Sequence, residues 1–127
     1  MSKQLFAAIS LGFAIVHFIG ETVWHLKYGQ YLPMLIVDYI AIGLLLVSGS
    51  VLLKTKRSPG WLCGAWGFEF CLNYRTFFAR MEVLSQGGGD AMTQFEALVL
   101  GSFLGITAIF FLLAMYFCYE HEVDPNR

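Results

Sequence analysis

Four apolar runs of roughly membrane-spanning length, about 20 residues each, divide this chain, and short polar segments separate them. The runs cover 5–25, 32–53, 61–81 and 95–118. Lys27-Tyr28-Gly29-Gln30 makes a tight turn after the first. Lys54 to Gly60 is a basic loop closed by Ser58-Pro59-Gly60, and Ser85-Gln86-Gly87-Gly88-Gly89-Asp90 is a flexible linker. A polar tail runs from Glu120 to Arg127. Each run predicts a helix, because a lone hydrophobic strand leaves its backbone groups unpaired in lipid and the segments are too few for a barrel. Pro33 opens the second run where its missing N–H costs nothing. The connections are short, so neighbouring helices are antiparallel. The expected fold is all-α: one integral membrane domain, a four-helix transmembrane bundle.

Lysine and arginine set the expected orientation. Lys3, Lys54, Lys56, Arg57 and Arg127 fall on one side of a four-span chain; Lys27 falls on the other, with Arg80 near that boundary. Both termini are therefore expected in the cytoplasm, and a bacterial inner membrane is the expected location. The first run has the basic start of a signal peptide but continues through Gly20-Glu21-Thr22-Val23-Trp24 with no small-residue cleavage site, so it reads as a retained span. Trp24, Tyr28 and Tyr31 suit one interfacial aromatic belt, and Trp61, Tyr116 and Tyr119 the other.

Composition agrees: 57% of the 127 residues are hydrophobic and 13% charged, against about 25% charged in a soluble domain. The net charge of -1 does not bear on nucleic acid, but the chain has no basic face and its one compact basic run is Lys54-x-Lys56-Arg57, so no nucleic acid partner is expected; the expected partner is the lipid bilayer. The three cysteines form no CxxC, and Cys63 and Cys71 stand about two turns apart on one helix, which argues against a dithiol redox centre.

The pattern is broken by His17, Glu21, His25, Asp38, Glu69, Arg75 and Arg80, which lie within the runs or at their edges. A charge at the centre of a membrane helix costs about 2.5–3.5 kcal/mol on insertion scales, so these groups need partners, water or a ligand. His17, Glu21 and His25 follow each other at four-residue spacing, which drifts only about 40° per step around a helix. Glu69, Asn73, Thr76 and Arg80 share a stripe on the third run, and Arg75 lies about 120° away from it. By depth, His17, Glu21, Asp38, Asn73 and Arg80 fall in the outer half, with Glu69 near the middle and Glu96 at the mouth of the fourth run. They predict a polar pocket among the first three helices.

Three chemistries compete for that pocket. One is a structural ion-pair network, in which Arg75, Arg80 and the histidines neutralise Glu21, Asp38 and Glu69. One is a binding or transport site for a small polar solute, ion or proton, with His17, Glu21, Asp38, Glu69, Asn73 and Arg80 as its residues. One is a divalent metal site, and with it a membrane enzyme or redox subunit: His17, Glu21 and His25, facing Asp38 and Glu69, mix imidazoles and carboxylates as zinc, iron or manganese prefer. The spacing is neither the Glu-x-x-His of di-iron bundles nor HExxH. Haem is disfavoured, because the remaining histidine, His121, lies at the opposite end. Gly87-Gly88-Gly89 lacks the lysine of a phosphate loop and reads as a linker. Ala97, Gly101 and Gly105 form a small-residue stripe, which serves as an internal seam or as a homo-oligomer face.

The layout of four spans, with polar residues in the first three, resembles the broad DoxX-like group of small bacterial membrane proteins. The resemblance lies in layout, not in a motif shared residue by residue, and it implies no function.

Overall fold

A computed structural model describes residues 2–55 and 59–123. Among them are four helices: α1 (Lys3–Tyr28), α2 (Leu32–Thr55), α3 (Gly60–Ser85) and α4 (Ala91–Val123). Lys56, Arg57 and Arg127, on which part of the expected orientation rests, lie outside the described residues. Every helix outruns its apolar stretch, and α4, with 33 residues, does so most.

Three of the four, α1, α2 and α4, are long and apolar enough to cross a membrane, which points to a membrane protein. The exception among the expected spans is α3, whose hydropathy is lowered by Glu69, Arg75, Arg80 and Glu82.

Local chemistry sets the helix ends. Ser2 caps α1, its Oγ accepting from the Leu5 N–H at 3.2 Å. Asp90 caps α4: its carboxylate accepts from the Thr93 N–H at 2.9 Å and the Thr93 hydroxyl at 3.0 Å. The Asp90 N–H donates back to the Thr93 Oγ1 at 3.4 Å, closing a reciprocal cap. Helix α3 ends in a Schellman arrangement, with the Gly87 N–H on the Leu84 carbonyl and the Gly88 N–H on the Val83 carbonyl. Gly87 has φ +73° and Gly89 φ +91°, and a Cβ on Gly89 would stand 3.0 Å from Thr93. The glycine run expected as a flexible linker is thus a shaped turn that glycine alone fits without strain.

The bundle is knit by an aromatic pile in the half that holds both termini. Trp66 of α3 is fully buried. Its ring stands 4.8 Å from Phe110 and 4.9 Å from Phe13, and Phe6 packs 5.2 Å from Phe117. The indole N–H donates to Ser10 Oγ at 3.0 Å, and that hydroxyl donates to the Phe6 carbonyl at 2.8 Å, so the pile contains no orphaned donor there. Ser10 of α1 serves this packing.

Close approaches join the helices. A Cβ on Gly49 of α2 would stand 3.1 Å from Leu11, one on Gly67 of α3 3.1 Å from Phe111, and one on Gly101 of α4 3.0 Å from Phe77. Ala97 is buried, whereas Gly105 faces open space. Gly101 thus meets α3 at an internal seam. Thr22 and Tyr39 share a 3.0 Å hydrogen bond between α1 and α2. The Cys118 thiol interacts with that of Cys63, across α4 and α3, a proximity that the spacing along the chain does not reveal; all three cysteines are free.

Polarity runs inward. Large apolar side chains such as Leu26, Ile109 and Leu112 are exposed, while Ser10, His17, Asp38, Ser48, Glu69, Asn73 and Thr107 are buried. An apolar exterior over a polar interior suits a lipid surround.

Candidate functional site

The half of the bundle opposite the termini is not filled by aromatic side chains. It encloses a cavity of about 600 Å³ at the level of the α1–α2 and α3–α4 turns, a volume within the usual range for small-molecule sites, about 300–1,000 Å³.

Its floor is built by His17. The residue is 7% exposed, and the rings of Phe13 and Phe103 stand 5.9 and 5.8 Å from the imidazole. Nδ1 lies 2.9 Å from Oε1 of Glu69, and Nε2 lies 3.6 Å from Oε1 of Glu21. The Nδ1–Glu69 approach has ion-pair distance without hydrogen-bond alignment. The four-residue step along α1 puts His17 and Glu21 on one face; the rotation of α3 brings Glu69 to the other edge of the ring.

Glu69 is fully buried below the cavity. Asn73, one turn on, donates from Nδ2 both to the Glu69 backbone carbonyl at 2.9 Å and to its Oε1 at 3.1 Å. Oε2 of Glu69 has no hydrogen-bond partner among the described residues. A buried carboxylate oxygen left without a donor is costly.

Asp38 enters the wall from α2. Gln30, in the α1–α2 turn, donates from Nε2 to Asp38 Oδ2 at 2.8 Å. That bond fixes the amide orientation and leaves Gln30 Oε1 buried with no donor. Arg80 lies at the rim, where its Nε meets Glu96 Oε2 at 2.8 Å, joining α3 to α4.

Of the residues expected at a binding site, His17, Glu21, Asp38, Asn73 and Arg80 line the cavity, and Glu69 touches His17 and Asn73 from beneath. The pairing differs from the expected network. Arg80 takes Glu96 instead of an interior acid. Arg75 is exposed and makes no ion pair among the described residues. The cavity is also not confined to the first three helices, since Phe95, Glu96 and Phe103 of α4 close one side. Trp24 lies close to the polar stripe of α1, whereas Gln30 and Phe103 are wall residues that periodicity does not single out; the turn position of Gln30 beside a buried aspartate is the only cue it offers.

The metal-ligand set fares differently. His25 does not line the cavity, and its Nδ1 is buried without a partner. Among the described residues no group of three or more His, Cys, Asp or Glu is placed to hold a metal ion, so His17, Glu21 and His25 share a helix stripe but do not converge on one point. Glu21 and Glu69 approach opposite edges of the His17 ring.

No protein-family model, curated protein or solved structure matches this chain, so the likeness to the DoxX-like group rests on layout alone.

Proposed function

We propose that this chain is a small membrane protein that binds or moves a small polar solute, ion or proton through the cavity floored by His17. In this reading all four helices cross a bacterial inner membrane, both termini face the cytoplasm, and the cavity opens toward the outside. The observation that carries it is the cavity itself: about 600 Å³ of space in an apolar bundle, walled by Glu21 and Asp38 and bounded by Arg80. Ionisable groups in a membrane are expensive and commonly mark solute or proton pathways. The membrane reading of α3 draws support from the same place, because its polar residues Asn73, Thr76 and Arg80 face this space.

A purely structural network would match each interior acid with a base. Asp38 is met instead by a neutral amide, and Glu69 and Glu21 share one imidazole. The alternative of a metal-dependent enzyme lacks a converging ligand set.

Gly20 lines the cavity, and a Cβ added there would meet nothing within 4 Å. Gly20→Leu should therefore narrow the cavity with little disturbance of the fold. The test is thermal stabilisation of the purified protein in mild detergent by a panel of sodium, potassium, acetate, phosphate and a small aromatic amine, alcohol and acid. The expected result is stabilisation of the wild type by at least one probe and its loss in Gly20→Leu. No stabilisation by any probe would return these charges to a structural role.

A further inference from the structure

The cavity has an imbalance of charge and of hydrogen-bonding capacity, and both point the same way. Four carboxylates surround it: Glu21, Asp38 and Glu96 in the wall and Glu69 beneath. Only Arg80 and His17 oppose them, and the Arg80 guanidinium is already engaged by Glu96. Even with His17 protonated, the remaining three acids share one positive ring. The acids are therefore in excess around the cavity, and an uncompensated charge costs more there the more it is buried.

The unmet hydrogen-bonding atoms tell the same story independently. Glu69 Oε2 and Gln30 Oε1 are buried and lack donors. Both are acceptors, Gln30 in the wall and Glu69 beneath it; the other such atom at the cavity, His17 Nδ1, already stands 2.9 Å from Glu69 Oε1. A ligand rich in acceptors would leave them unmet. An ammonium group has donors only.

Five aromatic side chains, Trp24, Tyr28, Tyr31, Phe95 and Phe103, share the wall with aliphatic ones such as Met34, Leu72 and Leu100. Trp24 and Tyr28 stand with ring centroids 4.5 Å apart. The Lys27 ammonium already lies 5.0 Å from the centroid of the Tyr28 ring, within the range of a cation–π contact. Lys27 is not a wall residue, so the contact shows only that the Tyr28 ring can receive an ammonium.

Resting on the binding role proposed for this cavity, we infer that its ligand is a protonated amine with an apolar or aromatic body. The ammonium sits among Glu21, Asp38 and the Gln30 carbonyl, and the body lies against Trp24, Tyr28 and Phe103.

Three probes with the same 2-phenylethyl body test this on the full chain in mild detergent: 2-phenylethylamine, 2-phenylethanol and 3-phenylpropionate, titrated at neutral pH and followed by tryptophan fluorescence, to which Trp24 contributes from the wall. The amine is expected to bind at least tenfold more tightly than the alcohol, with no binding of the acid. Asp38→Asn should weaken the amine at least tenfold and leave the alcohol unchanged, and Asp38→Glu should restore part of the loss, which separates a charge effect from a folding defect. If the alcohol or the acid binds as well as the amine, the cavity still takes a solute and the amine assignment falls. If Asp38→Asn and Glu21→Gln both leave amine affinity intact, the assignment falls too. If none of the three binds, while sodium, potassium, acetate or phosphate still stabilises the wild type and not Gly20→Leu, the amine falls and the cavity's binding role stands; silence across the whole panel overturns both.

Discussion

His17 of α1 and Glu69 of α3 meet with 2.9 Å between Nδ1 and Oε1 at the level where the aromatic pile gives way to the cavity. The contact joins the first helix to the third, and it leaves the second carboxylate oxygen of Glu69 without a donor. It is both a structural tie and the floor of the candidate site.

Breaking this contact from one side should be worse than removing it altogether. His17→Leu or Glu69→Leu alone leaves a buried polar partner uncompensated, a loss of about 3–5 kcal/mol for a buried pair. The double substitution to leucine should be less destabilising than the sum of the two singles. Thermal denaturation in detergent reads this as a double-mutant cycle; simple additivity would show that the two side chains are not coupled.

Wall and core residues should separate stability from function. Leu45 is fully buried and lies away from the cavity, so Leu45→Ala should cost about 2–5 kcal/mol and retain ligand stabilisation at temperatures where it remains folded. Glu21→Leu and Asp38→Leu should do the reverse, holding the melting temperature near that of the wild type while losing the ligand response or a growth phenotype. Similar behaviour of all three in both assays would count against a functional cavity.

Metal content follows from the ligand geometry. Because Glu21 and Glu69 stand on opposite edges of His17 and no three ligands converge among the described residues, the purified protein is expected to carry no stoichiometric zinc, iron or manganese. Elemental analysis beside a His17→Ala/Glu21→Ala double variant decides it. A metal present in the wild type and missing in the variant would revive the metal-dependent alternative.

Orientation is open to a direct reading. With Lys3, Lys54, Lys56 and Arg57 expected on the cytoplasmic side, a reporter fused after Arg127 should read as cytoplasmic. A reading from the opposite side would turn the cavity mouth toward the cytoplasm.

The cap of α4 has a pH signature. The Thr93 backbone N–H, followed by its hydroxyl, holds the Asp90 carboxyl below the usual aspartate range. A carboxyl lowered in the folded state stabilises above its unfolded value, about 3.9, and that contribution fades as pH falls through the folded value. Asp90→Asn keeps a neutral acceptor, so its melting temperature should follow the wild type at pH 7 with a smaller added loss below about pH 4. Asp90→Ala should be less stable than the wild type at pH 7. Identical pH profiles for Asp90→Asn and the wild type would show that the carboxylate charge contributes nothing to the cap.

Much of this arrangement is legible along the chain because it is local. The apolar runs mark the helices, and four-residue steps place His17 with Glu21 and Glu69 with Asn73. The helix ends are less so: α4 starts at Ala91 instead of Phe95 because the reciprocal Asp90–Thr93 cap nucleates it earlier. What is not legible depends on how each helix is rotated about its axis. Arg80 pairs with Glu96, Gln30 reaches Asp38, Phe103 covers His17, and Cys118 comes beside Cys63. None of these follows from spacing within one segment, and each changes which charge is free to meet a ligand.

The 33 residues of α4 make a rod of roughly 50 Å at 1.5 Å per residue, against a hydrocarbon slab of about 30 Å. Lying wholly within the slab would take a lean of roughly 53°, steeper than the range of about 0–40° that membrane helices adopt. In a bilayer some of α4 must therefore emerge. The end carrying Glu120, His121 and Glu122 is the natural segment to stand in water, which draws the opposite end down and sets the cavity mouth near the lipid headgroups. Under the proposed binding role, a solute would reach the cavity from the interface, where amphipathic molecules already concentrate.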